Sequence, residues 1–448
     1  MTLSRDECGN IFNKVLQLSQ ADTVVAQLDG GIRAGSRYAV NAMTTNVVEE
    51  NIVLVVSCRF GDRQGIAFTN QFDDASLEQT VRQAEKIAKL SPPNEELLPL
   101  VKGPQKYMPV NAYFEETAQF GPQPRAEKIR ASIDIVKKNG LIGSGYLPTF
   151  DWVNAMANSE GVFFHHRWTG CGFLLTVRTP DGTGSGWARD QGVRRAKELR
   201  VKDKTEIACQ KCLHSHNPQP LEPGDYTVIM EPEAASSFLM LMMSAFDGRA
   251  GMEGRSFMSE GKGETRLGKK VLGENITIRT KHDHPQILGS PLGPDGLPAR
   301  NTTWVEKGVI KNLAFGRFSA QKYHQEITGR PINLVMEGEE HSLDDLIAST
   351  ERGILITRYW YIRTVDFMSI LNTGLTRDGL FLIEKGKITK PLVNFRFNES
   401  PAVVFNNITM MSKPERAMLY ESFGDFGTAM VPAIKADNFT LSSVAPAV

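Results

Sequence analysis

The sequence predicts an α+β protein: an N-terminal α/β half with an internal duplication, then a predominantly antiparallel, barrel-like β half. Three observations predict it. Up to His214, amphipathic helical stretches alternate with short β-prone runs. The pattern breaks at a polar, proline-rich segment, H214-S-H-N-P-Q-P-L-E-P-G224. Beyond it, β-prone runs recur between glycine-rich turns.

The first helix is expected from Asp6 to Ser19, where Ile11, Val15 and Leu18 keep one apolar stripe. Val40-Asn41-Ala42-Met43 follows, then a strand over Asn51–Cys58, a turn at Gly61-Asp62, a strand over Gly65–Phe68 and a helix over Ala75–Leu90. A second series has the same order. It has a helix over Arg125–Asn139, with Ile129, Ile133 and Val136 on its stripe, and the same tetrapeptide at Val153-Asn154-Ala155-Met156. A strand over Gly172–Arg178, a turn at Pro180-Asp181-Gly182, a strand over Gly184–Trp187 and a helix over Asp203–His214 complete it. The repeated tetrapeptide and shared order predict two related modules, about 1–100 and 120–216, within a domain of residues 1–218 and related by a pseudo-two-fold.

Residues 219–448 form the second domain in this reading. It opens with a strand over Tyr226–Met230 and a buried helix within M230-E-P-E-A-A-S-S-F-L-M-L-M-M-S-A-F-D-G-R249. Pro232 suits the first turn, and Glu231 and Glu233 complement the helix dipole. Ala235, Phe238, Leu239, Met242 and Phe246 make one stripe, widened by Leu241 and Ala245, and Gly248 stands as a C-terminal cap. Further on, Pro294-Asp295-Gly296, Glu306-Lys307-Gly308 and Glu384-Lys385-Gly386-Lys387 read as turns between strands. One later helix is capped by Ser342, with Asp345 three residues on.

Composition narrows the function classes. The chain has 448 residues, with 51 Lys+Arg balanced by 51 Asp+Glu. A neutral chain lacks the overall basic character of a nucleic-acid or membrane-surface protein. No stretch approaches the roughly 18 apolar residues of a membrane span, and MTLSRDECGN is no signal peptide. Five cysteines, an odd number at no framework spacing, read as reduced thiols. A cytoplasmic location is expected.

Motif logic finds no catalytic set. Cys209 and Cys212 with His214 and His216 have the residue types of a zinc site, but no second ligand pair stands at finger spacing, and Ala208, Cys209, Cys212 and Leu213 read as the apolar stripe of a helix end. His282-Asp283-His284 reads as a polar loop. His165 and His166 are strand neighbours that face opposite ways. His324-Gln325-Glu326 has the H-x-E of zinc deaminases without their downstream cysteine pair. Gly182-Thr183-Gly184-Ser185-Gly186 lacks the Lys and helix of a phosphate loop and fits a hairpin.

Several strings carry a family resemblance: G254-R-S-F-M-S-E-G-K-G-E264, E340-H-S-L-D-D-L-I-A-S-T350, R352-G-I-L-I-T-R-Y-W360, G374-L-T-R-D-G379, L382-I-E-K-G-K-I388 and N407-I-T409. R63-Q-G-I-A-F-T-N70 with S76-L-E-Q-T-V81, and L221-E-P-G224, extend it into the first half. In this order they resemble the TldD/PmbA family of metallopeptidase-related proteins. The resemblance implies two branches. In the TldD branch an H-E-x-x-x-H helix and a late cysteine hold a metal; the TldE (PmbA) branch lacks these ligands. Counting back from Ser256, the ligand slot here falls at Leu239–Ser244, with Leu239 and Ser244 near the histidine places and Met240 near the glutamate place. The late slot, N398-E-S-P-A-V-V-F-N-N407, has no cysteine.

The resemblance therefore implies a TldE-like chain, inactive alone and without a metal of its own. It would be paired with a TldD-type subunit that carries zinc, as a heterodimer acting on unfolded or flexible peptides. A homodimer is a possible state when the chain is isolated. The alternatives are an active enzyme with a metal on His282, His284 or the Cys209/Cys212 group, and a binding or gyrase-modulating protein without a peptidase partner. The aromatic and basic run R358-Y-W-Y-I-R363 supplies candidate surface residues Arg358, Tyr359, Trp360, Tyr361 and Arg363, with Arg377 beside them. They are expected to line a peptide cavity or a partner surface, against the alternative of a strand packed on one face and solvated on the other.

Overall fold

The structure is a computed structural model that describes residues 2–419 and 427–445. Its first half runs α1 (Arg5–Leu18), β1 (Thr23–Ala39), β2 (Ala42–Phe60), β3 (Arg63–Thr69) and α2 (Asp74–Leu90). After a short α3 (Glu115–Ala118) come α4 (Pro122–Lys138), β4 (Ile142–Asn158), β5 (Phe163–Arg178), β6 (Ser185–Val193) and α5 (Val201–His214). Ser4 and Glu7 form a capping box on α1, and Asp73 caps α2.

These strands make one antiparallel sheet in the order β3-β2-β1-β4-β5-β6. The series α-β-β-β-α thus runs twice, and the two first strands meet at the centre. The tetrapeptides do not mark the repeat. Val40 and Asn41, with φ of 49° and 58°, form the β1–β2 turn, whereas Val153–Met156 lies inside β4 against β1. A better mark of the symmetry is one glycine in each third strand. A Cβ on Gly65 would stand 2.1 Å from the Ala84 carbonyl oxygen of α2; one on Gly186 would stand 2.0 Å from the Ala208 carbonyl oxygen of α5. Each closing helix rests on bare backbone there.

Strands β1 and β4 go beyond the elements expected from sequence. Gly30 and Gly31 disguise β1, yet they are needed where it is flanked on both sides. A Cβ on them would meet the carbonyl oxygens of Asn51 and Asp151 at 2.2 and 2.0 Å.

In chain order the second half contributes β7 (Gly224–Met230), β8 (Ser259–Gly261), β9 (Glu264–Thr265), β10 (Ile278–Thr280), β11 (Thr302–Glu306), β12 (Val309–Ile310), β13 (Leu334–Met336), β14 (Arg352–Asp366), β15 (Leu371–Glu384), β16 (Lys387–Pro391), β17 (Phe395–Glu399), β18 (Ile408–Met411), β19 (Glu415–Met418), β20 (Thr428–Val431) and β21 (Ile434–Val444). Its helices are α6 (Pro232–Ser244), α7 (Gly248–Met252), α8 (Arg317–Tyr323), α9 (Leu343–Ala348) and α10 (Pro401–Asn406).

Strands β14-β7-β21-β17-β15 are joined in that order, and β14 pairs back onto β15, closing a five-stranded barrel. A second sheet runs β12-β11-β10-β13-β20-β19. Most pairings are antiparallel, as expected; β7–β14 and β13–β20 are parallel. Two of the three expected turns join strands as read; Pro294-Asp295-Gly296 is instead a short 3-10 turn in the long segment between β10 and β11, closed by a single Leu292–Pro298 bridge. Lys307-Gly308 and Lys385-Gly386 have positive φ at both positions and join β11 to β12 and β15 to β16, a two-residue hairpin geometry that matches strand twist. Ser342 and Asp345 form the capping box of α9.

Helix α6 lies in the main core. Phe238 is fully buried, with ring centroids 5.2, 5.7 and 5.8 Å from those of Tyr359, Phe397 and Phe439 on three barrel strands. The helix stops at Ser244, earlier than expected. Gly248 is not its cap but the first residue of α7, which the Asp247 carboxylate caps. Glycine is required there because a Cβ would stand 2.5 Å from the Phe315 ring. Among the described residues no helix is long and apolar enough to cross a membrane.

Candidate functional site

The segment that the resemblance assigns as the ligand slot, Leu239–Ser244 on α6, is mostly packed hydrocarbon. Leu239 is fully buried, Met240 packs partly buried against the same cluster, and Ser244 is exposed. The Ser244 hydroxyl donates to the Leu241 carbonyl oxygen at 2.7 Å, within its own helix turn. The late slot folds as the end of β17 and as α10, and α10 packs against α6. Ala402, Val404 and Phe405 join Leu239 and Met242 in one apolar cluster. Two slots far apart in sequence thus meet in space, as a metal site would require. A zinc ion needs imidazole, thiolate or carboxylate donors at about 2.0–2.3 Å, and this packing offers none.

The other metal candidates fold apart from such chemistry. Cys209 and Cys212 are fully buried in the cluster between α4, α5 and the sheet, and burial pushes their thiols up to about 11 and about 12. His216 contacts Asp181 at 2.9 Å. His165 and His166 diverge across β5: His165 Nε2 approaches the Leu3 carbonyl oxygen at 3.2 Å, while His166 is buried. Burial, then the Arg194 charge, lowers His166 to about 4. His282 is buried and His284 part-exposed, both lowered chiefly by desolvation. His324 caps α8 in a left-handed conformation. Among the described residues no group of three or more His, Cys, Asp or Glu is placed to hold a metal.

The chemistry gathers instead on the flank of α6's first turns. A cavity of about 400 Å³ opens between the N-terminal sheet and the barrel. Strands β5 and β6 give Arg178, Trp187 and Arg189; α6 gives Glu233 and Ser237; β14 and β15 give Arg358, Tyr359, Trp360, Arg377 and Asp378. Four guanidinium groups face two carboxylates.

A bulge in the β14–β15 pairing builds the wall. The register shifts between Ile356 and Arg358, Asp378 adopts φ 55°, and the buried Thr357 hydroxyl lies 3.1–3.3 Å from the carbonyl oxygens of residues 377 to 379. Arg358 and Arg377 are direct cross-strand partners, which repel when unscreened. They are reconciled by sharing the Asp378 carboxylate, at 3.1 and 3.8 Å, and the Trp360 ring, at 5.3 and 4.8 Å from its centroid. Arg358 also lies 4.4 Å over Trp187. Across the cavity Arg189 holds Glu233 through Nε at 2.7 Å and through a second contact from Nη2. It also donates to the Met418 carbonyl oxygen at 2.9 Å.

The aromatic and basic run is therefore divided. Arg358 and Trp360, with Arg377, face the cavity. Tyr359 reaches the lining but is mostly buried in the aromatic core, where burial raises its phenol well above the usual value and its Oη has no hydrogen-bond partner among the described residues. Tyr361 and Arg363 do not line the cavity; they are exposed farther along β14. The alternative of one packed and one solvated strand face fits the inner part, where Thr357 and Tyr359 are buried and Arg358 and Trp360 are not; from Tyr361 to Asp366 both faces are largely exposed. Trp187, Arg189, Glu233 and Asp378 escaped sequence reasoning. The signal was Asp378 beside Arg377 in G374-L-T-R-D-G379, and Trp187 with Arg189 after the glycine-rich turn.

Comparison with known proteins agrees with this architecture. Residues 223–443 match the PmbA/TldA metallopeptidase C-terminal domain. A metalloprotease of Methanothermobacter thermautotrophicus is 23% identical over 278 residues, 57% of this chain and 59% of that protein. One of Methanocaldococcus jannaschii is 21% identical over 374 residues, 78% of each chain. The chain thus spans less than two thirds of the first relative. Among solved structures, TldE of Thermococcus kodakarensis superposes with a TM-score of 0.84 at 21% identity, covering 97% of this chain and 99% of that one. A Thermotoga maritima protein described as a modulator of a DNA gyrase gives 0.84 at 14% identity, over 97% and 99%. The fold is shared over nearly its whole length, and residues 223–443 place the C-terminal half of the chain in the PmbA/TldD metallopeptidase-related family.

Proposed function

We propose that this chain is the non-catalytic, TldE-like subunit of a zinc peptidase pair, acting with a TldD-type partner on unfolded or flexible peptides. The observation that carries the reading is the packed slot. Leu239 and its neighbours occupy with hydrocarbon the place where the catalytic branch keeps its ligands. No step at a metal is assigned to this chain, and zinc belongs to the partner in this reading.

The β14–β15 hairpin suits the partner surface. Tyr361, Val365, Phe367 and Met368 are large apolar side chains exposed together near its tip, with Phe367 71% exposed. A contiguous apolar patch of this kind marks an interaction site. The hairpin continues directly from Arg358 and Trp360, so a subunit docked there would adjoin the cavity mouth. The cavity then presents charged and aromatic groups to a peptide.

The test is reconstitution. This chain and a TldD-type subunit are purified separately and mixed, and cleavage of an unstructured peptide is followed with and without a chelator. Metal-dependent cleavage is expected from the pair. The same cleavage by this chain alone overturns the reading.

A further inference from the structure

We infer that the cavity beside α6 is a carboxylate-binding site, centred on Arg178 and Arg377, that seats an acidic or C-terminal residue of a peptide. The inference deepens the function proposed above and rests on it for the ligand being a peptide; the cationic site stands on its own geometry.

Arg178, Arg377 and Asp378 line both the 400 Å³ cavity and an adjoining one of about 240 Å³, and they are the charged residues of that second lining. They form the wall between two spaces, within reach of a ligand lying across both. The four guanidinium groups are not equally available. Arg189 is committed to Glu233 and a carbonyl oxygen, and Arg358 lies between two indole rings beside Asp378. Arg377 keeps a contact with the Asp378 carboxylate at 3.8 Å and lies over Trp360, with its side chain 30% exposed. The Arg178 side chain is exposed and makes no ion pair or hydrogen bond with the described residues.

Two cations are left over in a chain whose net charge is zero, so the excess is local to this wall. A carboxylate accepts paired guanidinium N–H bonds better than any neutral group. Stacking on Trp360 holds Arg377 in place before the ligand arrives, which reduces the ordering cost of binding. Trp360 is 36% exposed and offers a flat face to the residue next to the carboxylate.

The experiment uses the isolated chain and three fluorescein-labelled, unstructured decapeptides of otherwise equal sequence. One has a free C-terminus, one a C-terminal amide, and one the amide with an internal glutamate. Fluorescence anisotropy gives each Kd. A carboxylate peptide is expected to bind about tenfold tighter than the plain amide, as charge-assisted hydrogen bonds imply. Tightening of the free acid alone identifies the chain terminus as the ligand, and tightening of the glutamate peptide identifies an acidic side chain. The double variant R178Q/R377Q is expected to abolish the preference, and R377K to retain part of it, with thermal melts unchanged in both. Equal binding of all three peptides, no binding of any, or a preference that survives R178Q/R377Q overturns the inference. Partner-dependent cleavage is scored separately, so its loss tests the subunit reading and leaves the carboxylate site to the binding data.

Discussion

At its first two turns α6 presents Glu233 and Ser237 to a charged cavity; in the next two the same helix presents Leu239, Met242 and Met243 to packed hydrocarbon. The two regions are covered differently. Beside the first, β6 and the β14–β15 bulge bring Arg189, Arg358 and Arg377, whose charges Glu233 and Asp378 neutralise only in part. Around the second, α10 and the barrel bring only apolar side chains. Turns of one helix a few ångströms apart can thus differ in chemistry, because each is governed by what packs on it. The groups this helix offers to the cavity, Glu233 and Ser237, stand apart from the turns packed in hydrocarbon.

The comparison can be broken most severely by restoring a ligand to the apolar turn. Leu239→His puts an imidazole into a fully buried apolar site with no partner. A loss of about 4–5 kcal/mol is expected from lost packing and unsatisfied burial, read by urea denaturation, with no zinc retained on gel filtration. The charged turn comes next. Glu233→Ala removes the carboxylate that pairs with the Arg189 guanidinium, whose side chain is 8% exposed, and costs about 3 kcal/mol by the same measurement.

A buried histidine elsewhere sharpens the contrast. His166 is held neutral, with its value lowered from 6.5 to about 4. The unfolded chain takes up a proton near pH 6.5 while the folded one resists until about pH 4. Stability is therefore full above pH 6.5 and falls as the pH drops through that window, by about 2–3 kcal/mol in all. His166→Gln flattens this part of the pH profile of the melting temperature. The smallest effect belongs to Ser244→Ala. Its hydroxyl is exposed and bonds only within the helix, so stability moves by less than about 0.5 kcal/mol and activity of the reconstituted pair is unchanged.

What was legible in the sequence follows from how local each feature is. The helices of both N-terminal modules were placed within a few residues, because apolar periodicity is a local signal. The glycines of β1 hid a central strand, since crowding by Asn51 and Asp151 is set by neighbours remote in sequence. Barrel closure by β14 on β15, and the meeting of α6 with α10, depend on the same kind of distant pairing. At the site, Arg358 and Trp360 were named from the aromatic and basic run R358-Y-W-Y-I-R363, and Arg377 from the string G374-L-T-R-D-G379. The bulge that turns Asp378 between the two arginines, and the swing of Tyr359 into the core, lie in strand register and were not. The tetrapeptide repeat was an identity without structural equivalence, while Gly65 and Gly186, whose immediate neighbours share only an alanine two residues on, occupy matching places.

The central claim is that chemistry requires a partner that carries the metal. The most direct measurement is zinc content and chelator-sensitive cleavage of an unstructured peptide, determined side by side for this chain, for a TldD-type subunit and for the mixture. The account predicts no stoichiometric zinc and no cleavage for this chain, with cleavage appearing when the zinc-bearing subunit is added. Stoichiometric zinc and chelator-sensitive cleavage by this chain alone would contradict it.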